Sequence, residues 1–219
     1  FVFKKKSDDD LLGVADRRCG PNWDHVAFDP EHRLVLEVVC GKRTGRLVRQ
    51  LIQATRDRTG HRLMRLITTD EYKPYRHEIL DAYGKELPRK RPYRPGQPRK
   101  VVKRASEGLL YATLHKTRKK GRVVKIEPRL QFGTQARLDA ALKASSVSRR
   151  VNTSFIERYN GTDRHRNSRK VRKSYRFSKD WEIHQAATYF SMYAYNFCWP
   201  VRTLRQPTGP GRYRARTPA

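Results

Sequence analysis

Trp23-Asp-His-Val-Ala-Phe-Asp29 and Arg33-Leu-Val-Leu-Glu-Val-Val39 are two short runs rich in β-branched and aromatic residues, joined through Pro30. Such side chains favour extended backbone, and a proline that cannot serve a ladder suits the turn between two strands. The pair therefore reads as an antiparallel hairpin. Upstream, Phe1-Val-Phe-Lys-Lys-Lys opens on bulky apolar residues and reads as the tail of another strand. Lys6 to Asn22, with Asp8, Asp9 and Asp10 and the Cys19-Gly20-Pro21 break, has loop character. Downstream, Thr44 or Gly45 opens a helix whose apolar Leu47, Val48, Leu51 and Ile52 recur at helical spacing up to the break at Gly60. Leu63-Met-Arg-Leu-Ile-Thr-Thr69 predicts a further strand ending at Asp70, and a short helix from about Tyr75 to Tyr83 follows. Three strands in a meander, then a helix and a strand, predict a mixed α/β sheet with one crossover.

Lys85 to Lys103 is dense in Pro, Lys and Arg, cannot bury an apolar face and reads as an exposed basic insertion. Leu109-Leu-Tyr-Ala-Thr-Leu-His115 and Val123-Val-Lys-Ile-Glu-Pro-Arg-Leu-Gln-Phe132 flank Lys116 to Gly121, the pattern of a hairpin with a cationic tip. From Gln135 onward the signals are helical. Leu138, Ala141 and Leu142 start one helix, Asn152 as a cap opens a second that runs to about Arg166, and Asp180 to about Phe197 is a third. The expected organisation is one domain over 1–205 with a basic insertion at about 85–134, then a basic disordered tail over 206–219.

Lys and Arg total 50 against 21 Asp and Glu, a formal charge of +29. A charge so far from zero opposes compaction unless polyanions offset it, which makes nucleic acid the expected partner. No apolar run approaches the roughly 18 residues of a spanning helix, so a membrane is not expected. Hydrophobic residues make up 37% of the chain, but 11 Tyr, 8 Phe and 3 Trp supply large units for a core. Cys19, Cys40 and Cys198 are odd in number and show no C-x-x-C spacing, so they read as reduced thiols of a cytoplasmic protein.

Asp70 stands where an apolar strand ends, the edge at which sheet proteins place functional side chains, although an Asp ahead of a helix also serves as a cap. Glu157 lies in Asn152-Thr-Ser-Phe-Ile-Glu-Arg-Tyr-Asn160 and is followed by Arg158, Arg164, Arg166, Arg169, Lys170, Arg172, Lys173 and Arg176. An acid on a helix is commonly a solvated residue, yet metal binding explains a carboxylate kept within a phosphate-binding surface. His184 and the aromatic set Tyr189, Phe190, Tyr193, Tyr195, Phe197 and Trp199 are expected to pack in the core. Asp24 and Asp29 read as polar hairpin positions.

Thr68-Thr-Asp-Glu-Tyr-Lys-Pro-Tyr75, then Asn152 to Asn160, then Arg176-Phe-Ser-Lys179 and Tyr195-Asn-Phe-Cys198, resembles bacterial DDE-type insertion-sequence transposases, especially the insertion-sequence-one group. The resemblance runs from about Phe1 to about Arg205. It implies an RNase H-like mixed sheet flanked by helices, with the basic insertion and β-hairpin before the C-terminal helices. It also implies three acids holding two Mg2+ ions for DNA strand cleavage and strand transfer. Asp70 matches the second acid and Glu157 the third. The first belongs to an Asp-Glu-x-Trp-x-Phe-Val segment of which only Phe1-Val2 is matched, placing that acid a few residues upstream of Phe1. By the same resemblance the full-length protein acts on DNA as a homo-oligomer, associated with the nucleoid.

Asn152, Arg158, Asn160, Arg164, Arg169, Lys170, Arg172, Lys173 and Arg176 are the expected DNA contacts. Two other readings share the charge: a non-catalytic nucleic-acid-binding remnant of a transposase, and a ribosome-associated basic protein that prefers structured RNA.

Overall fold

The computed structural model describes residues 22–87, 102–171, 175, 176 and 178–219. The expected first strand, the loop with Asp8 to Asp10, the middle of the basic insertion, and Arg172 and Lys173 lie outside the described residues. The architecture is mixed α/β and divides into two compact units, one built from the described residues up to Arg58 with Ser154–Ala219, the other from Thr59–Thr153.

In the first unit, β1 (Asn22–Asp29) pairs antiparallel with β2 (Leu34–Lys42), with Asp24 opposite Cys40 and Val26 opposite Val38. Asp29 shapes the turn, its Oδ1 accepting from the Glu31 N–H at 2.8 Å. Helix α1 (Gly45–Arg58) turns Val48, Leu51 and Ile52 inward, as their spacing requires. Its last residue is tied back to the hairpin, where Arg58 Nε donates to Glu37 Oε2 at 2.8 Å. Helices α4 (Ser154–Arg166) and α5 (Trp181–Tyr193) complete the unit. The core joins Val35, Val38, Cys40, Tyr159 and Met192, with Phe28, Tyr189 and Tyr195 packed against it. The Tyr159 ring lies 5.6 Å from Phe28 and 5.0 Å from Tyr195.

Helix α4 begins two residues after Asn152, the residue expected to open it. The Asn152 amide donates to Ser148 Oγ at 2.7 Å and to the Arg150 carbonyl at 3.0 Å, and the helix opens at Ser154. Asp180 caps α5 through the Ile183 N–H at 2.8 Å. That helix runs into a π turn over Ala194–Cys198, which turns the amide of Asn196 toward β2. Asn196 Oδ1 accepts from the Val35 N–H at 3.0 Å and Nδ2 donates to the Val35 carbonyl at 2.9 Å. The expected disordered tail contains a short exposed hairpin, β8 (Gln206–Gly209) with β9 (Arg212–Arg214). It is anchored at its flanks, where the Val201 N–H reaches the Arg216 carbonyl and the Ala219 N–H reaches that of Asn196.

In the second unit, β3 (Ile67–Asp70) runs parallel to β6 (Tyr111–Lys119), which pairs antiparallel with β7 (Arg122–Phe132). Helix α2 (Pro74–Tyr83) follows β3, with proline at its first position where no donor is needed. β3 is shorter than the apolar run Leu63–Thr69 suggests, because its ladder begins at the Ile67–Tyr111 pair. Leu66 still packs against the core of Leu110, Ala112 and Leu138, since burial does not require a ladder. The basic insertion has a short ladder at its ends, β4 (Lys85–Glu86) with β5 (Lys103–Arg104). Helix α3 (Gln135–Ala144) follows β7 through Gly133, whose φ of +98° and close approach to Leu110 exclude a side chain.

Candidate functional site

Asp70 ends β3, level with Leu114 of β6, and its side chain is exposed. One carboxylate oxygen accepts from the Tyr72 N–H at 3.3 Å, which shapes the entry to α2. Beside it, Thr69 Oγ1 and the Tyr111 hydroxyl are 2.7 Å apart. Burial pushes the Tyr111 phenol up to about 12, the Thr69 hydrogen bond opposes that shift, and the negative Asp70 adds to it. Glu71 is committed elsewhere, held by His115 Nδ1 at 2.5 Å and Arg129 at 3.0 Å. Asp70 is thus an exposed hard oxygen donor at the carboxyl edge of a parallel strand pair.

Glu157 lies in the first turn of α4 and, with Arg158, is exposed, while Tyr159 turns into the core. A carboxylate there is favoured by the positive end of the helix dipole. Asn160, Arg164 and Arg169 are half-buried, and Arg176 is exposed. Asp70 belongs to one compact unit and Glu157 to the other.

Lys170 departs from the expected DNA-contacting role. Its side chain is 7% exposed, and its ammonium lies 2.6 Å from Asp163 and 3.0 Å from Asp24. The second oxygen of Asp24 meets His184 Nε2 at 3.1 Å, and His184 Nδ1 lies 3.0 Å from Ser178 Oγ. Burial alone would raise the Asp24 carboxyl, but the His184 hydrogen bond and the Lys170 charge outweigh it and hold the group well below the ordinary carboxylate range. Burial lowers the Lys170 ammonium, yet the two carboxylates together hold it above its usual value. Burial and the neighbouring Asp24 charge push the Cys40 thiol far up, so it stays protonated.

Ligand atoms of Asp24, Cys40 and His184 lie within 4.8 Å of one another. Sulfur and imidazole do not suit Mg2+, and both oxygens of Asp24 already have partners in Lys170 and His184. The arrangement works as an internal ionic network joining β1, β2, α4 and α5. Sequence reasoning placed Asp24 as a hairpin polar residue and missed this network. The available signal was His184, Thr188 and Met192 at successive turns of α5, two polar groups on an inward stripe; all three are buried.

The aromatic set also divides. Tyr189 and Tyr195 pack against the core, whereas Phe190 is 75% exposed and Tyr193, Phe197 and Trp199 are exposed too. The inward stripe of α5 and the extra residue of its π turn rotate these rings outward. There Tyr193 stacks on Phe197 at 6.2 Å, and the Arg166 guanidinium sits 3.6 Å from the Trp199 ring centre.

No family model, curated protein or solved structure matches this chain. No helix among the described residues is long and apolar enough to cross a membrane.

Proposed function

We propose that this chain is the catalytic part of a DDE-type DNA transposase with an RNase H-like fold. The observation that carries the reading is Asp70, an exposed carboxylate at the carboxyl end of a strand that runs parallel to its neighbour. Glu157 supports it, exposed in the first turn of α4 next to Arg158. Asp70 and Glu157 supply oxygen donors of the kind that hold Mg2+. The remaining carboxylate is the one that the resemblance puts upstream of Phe1.

Bound Mg2+ would supply the charge that activates an attacking oxygen and stabilises a leaving one at a phosphodiester. The chain's own part is positioning. Arg158, Arg164, Arg169 and Arg176 hold the DNA backbone, and Asn160, one turn beyond Ile156, reaches sugar or base edges. Among the described candidates Lys170 is excluded from this set, because its ammonium is buried in ion pairs.

The test is Mg2+-dependent nicking of plasmid DNA by a chain extended through the upstream acid. Asp70→Asn and Glu157→Gln are each expected to abolish nicking while leaving DNA affinity unchanged. Variants that nick as well as the parent overturn the reading. A binding protein without chemistry is the second reading, favoured by the hydrogen bond from the Tyr72 N–H that gives Asp70 a structural use. On that reading Asp70→Asn changes stability alone and the extended parent does not nick.

A further inference from the structure

The ribbon formed by β6 and β7 extends beyond anything packed against it: every residue from Arg118 to Ile126 is exposed. A two-residue turn closes it, with Lys120 at φ +46° and Gly121 at φ +76°, the geometry whose twist matches that of the paired strands and keeps the tip stiff. Arg118, Lys119, Lys120 and Arg122 have no carboxylate partner among the described residues, so four adjacent cations repel one another with nothing to offset them. Three aliphatic side chains are exposed in the same span, Val123 at 41%, Val124 at 54% and Ile126 at 56%. Neither feature helps the fold.

The strand register sorts them. Arg118 faces Val123 and Lys116 faces Ile126, so Arg118, Val123 and Ile126 share one face of the ribbon. Lys119 faces Arg122 on the opposite face. The register shift between Thr117 and Arg118 leaves Val124 as the extra residue of a bulge, which increases the local twist.

We infer that this ribbon tip is a duplex-DNA-binding element that enters the major groove, with Val123, Ile126 and Arg118 toward base edges and Lys119, Lys120 and Arg122 on phosphates. The inference deepens the proposed function and rests on its DNA-binding part. Charge complementarity selects a polyanion. Dimensions select the groove: a two-stranded ribbon with side chains is about 10 Å thick, against about 12 Å for the major groove of B-DNA and about 6 Å for the minor. The deep, narrow major groove of an RNA duplex does not admit it. Aliphatic side chains have a partner in the thymine methyl group, and an arginine on the same face has one in guanine O6 and N7.

Binding to a mixed-sequence DNA duplex is measured across a salt series. The triple variant Lys119→Gln, Lys120→Gln, Arg122→Gln is expected to lower the log–log salt slope by up to about 2.7, at about 0.9 for each lost phosphate contact. Replacing thymine by deoxyuridine is expected to weaken the parent chain severalfold and to leave Val123→Ser with Ile126→Ser unaffected. All these positions are exposed, so the variants fold as the parent does. An unchanged slope in the triple variant overturns the inference, as does a parent indifferent to deoxyuridine or one that binds an RNA duplex more tightly. A parent that binds no duplex DNA overturns the proposed function as well. A ribbon that binds as described, together with an extended chain that never nicks DNA with Mg2+, overturns the proposed function alone.

Discussion

Lys170 holds two carboxylates in a place where water reaches little of any of the three groups. Removing one member of such a set leaves the others charged and uncompensated, which costs about 3–5 kcal/mol. Lys170→Met is therefore expected to lower the unfolding free energy by about that amount at neutral pH, read from urea titration. The same titration across a pH series checks the cause. The Asp24 carboxyl is depressed in the folded chain, so its contribution is fully present above the ordinary carboxylate range and is lost as pH falls below it. In that acid limb the gap between parent and variant narrows, because a protonated Asp24 no longer needs the ammonium. Nothing local marks Lys170: within Arg169-Lys-Val-Arg-Lys173 it looks like one more solvated cation, and its inward turn depends on Asp24 far upstream in the chain. Asp70 was legible from its place after an apolar run, because the end of a strand is a local property.

Among elements, those governed by local periodicity were the legible ones. The β1–β2 hairpin follows from its β-rich runs, and α1 and α3 follow from apolar spacing. α5 was legible at its start because Asp180 can accept from the Ile183 N–H. Asp180→Ala is expected to cost about 1 kcal/mol, seen as a lower urea midpoint with an unchanged slope. Elements decided by partners were misjudged. β3 is only as long as the strand it pairs with allows, α4 starts at Ser154 while the Asn152 amide donates to the preceding loop, and the hairpin of β8 and β9 depends on bonds to distant backbone. The π turn after α5 left no trace in the sequence, and the outward rings of Phe190 and Phe197 went unforeseen with it.

For the whole molecule, a formal charge of +29 opposes the compact state by self-repulsion. A polyanion that binds the folded chain should relieve it. Heparin is expected to raise Tm in a thermal shift measurement, and by more than sodium chloride at equal ionic strength, since binding to the native state adds to screening. A Tm indifferent to heparin counts against a folded polyanion-binding surface. The mixed α/β class was legible from element order; the division into two compact units was not, because it depends on contacts between Asn22–Arg58 and the chain beyond Ser154.

The bonds between Asn196 and Val35 have a consequence for how copies of this chain behave in a crowded solution. Both main-chain groups of Val35 that point away from β1 are occupied by one side-chain amide, which copies the donor and acceptor of a peptide. A strand from another copy approaching that margin finds the seat already taken. The asparagine acts there as a plug against edge-to-edge growth of the sheet.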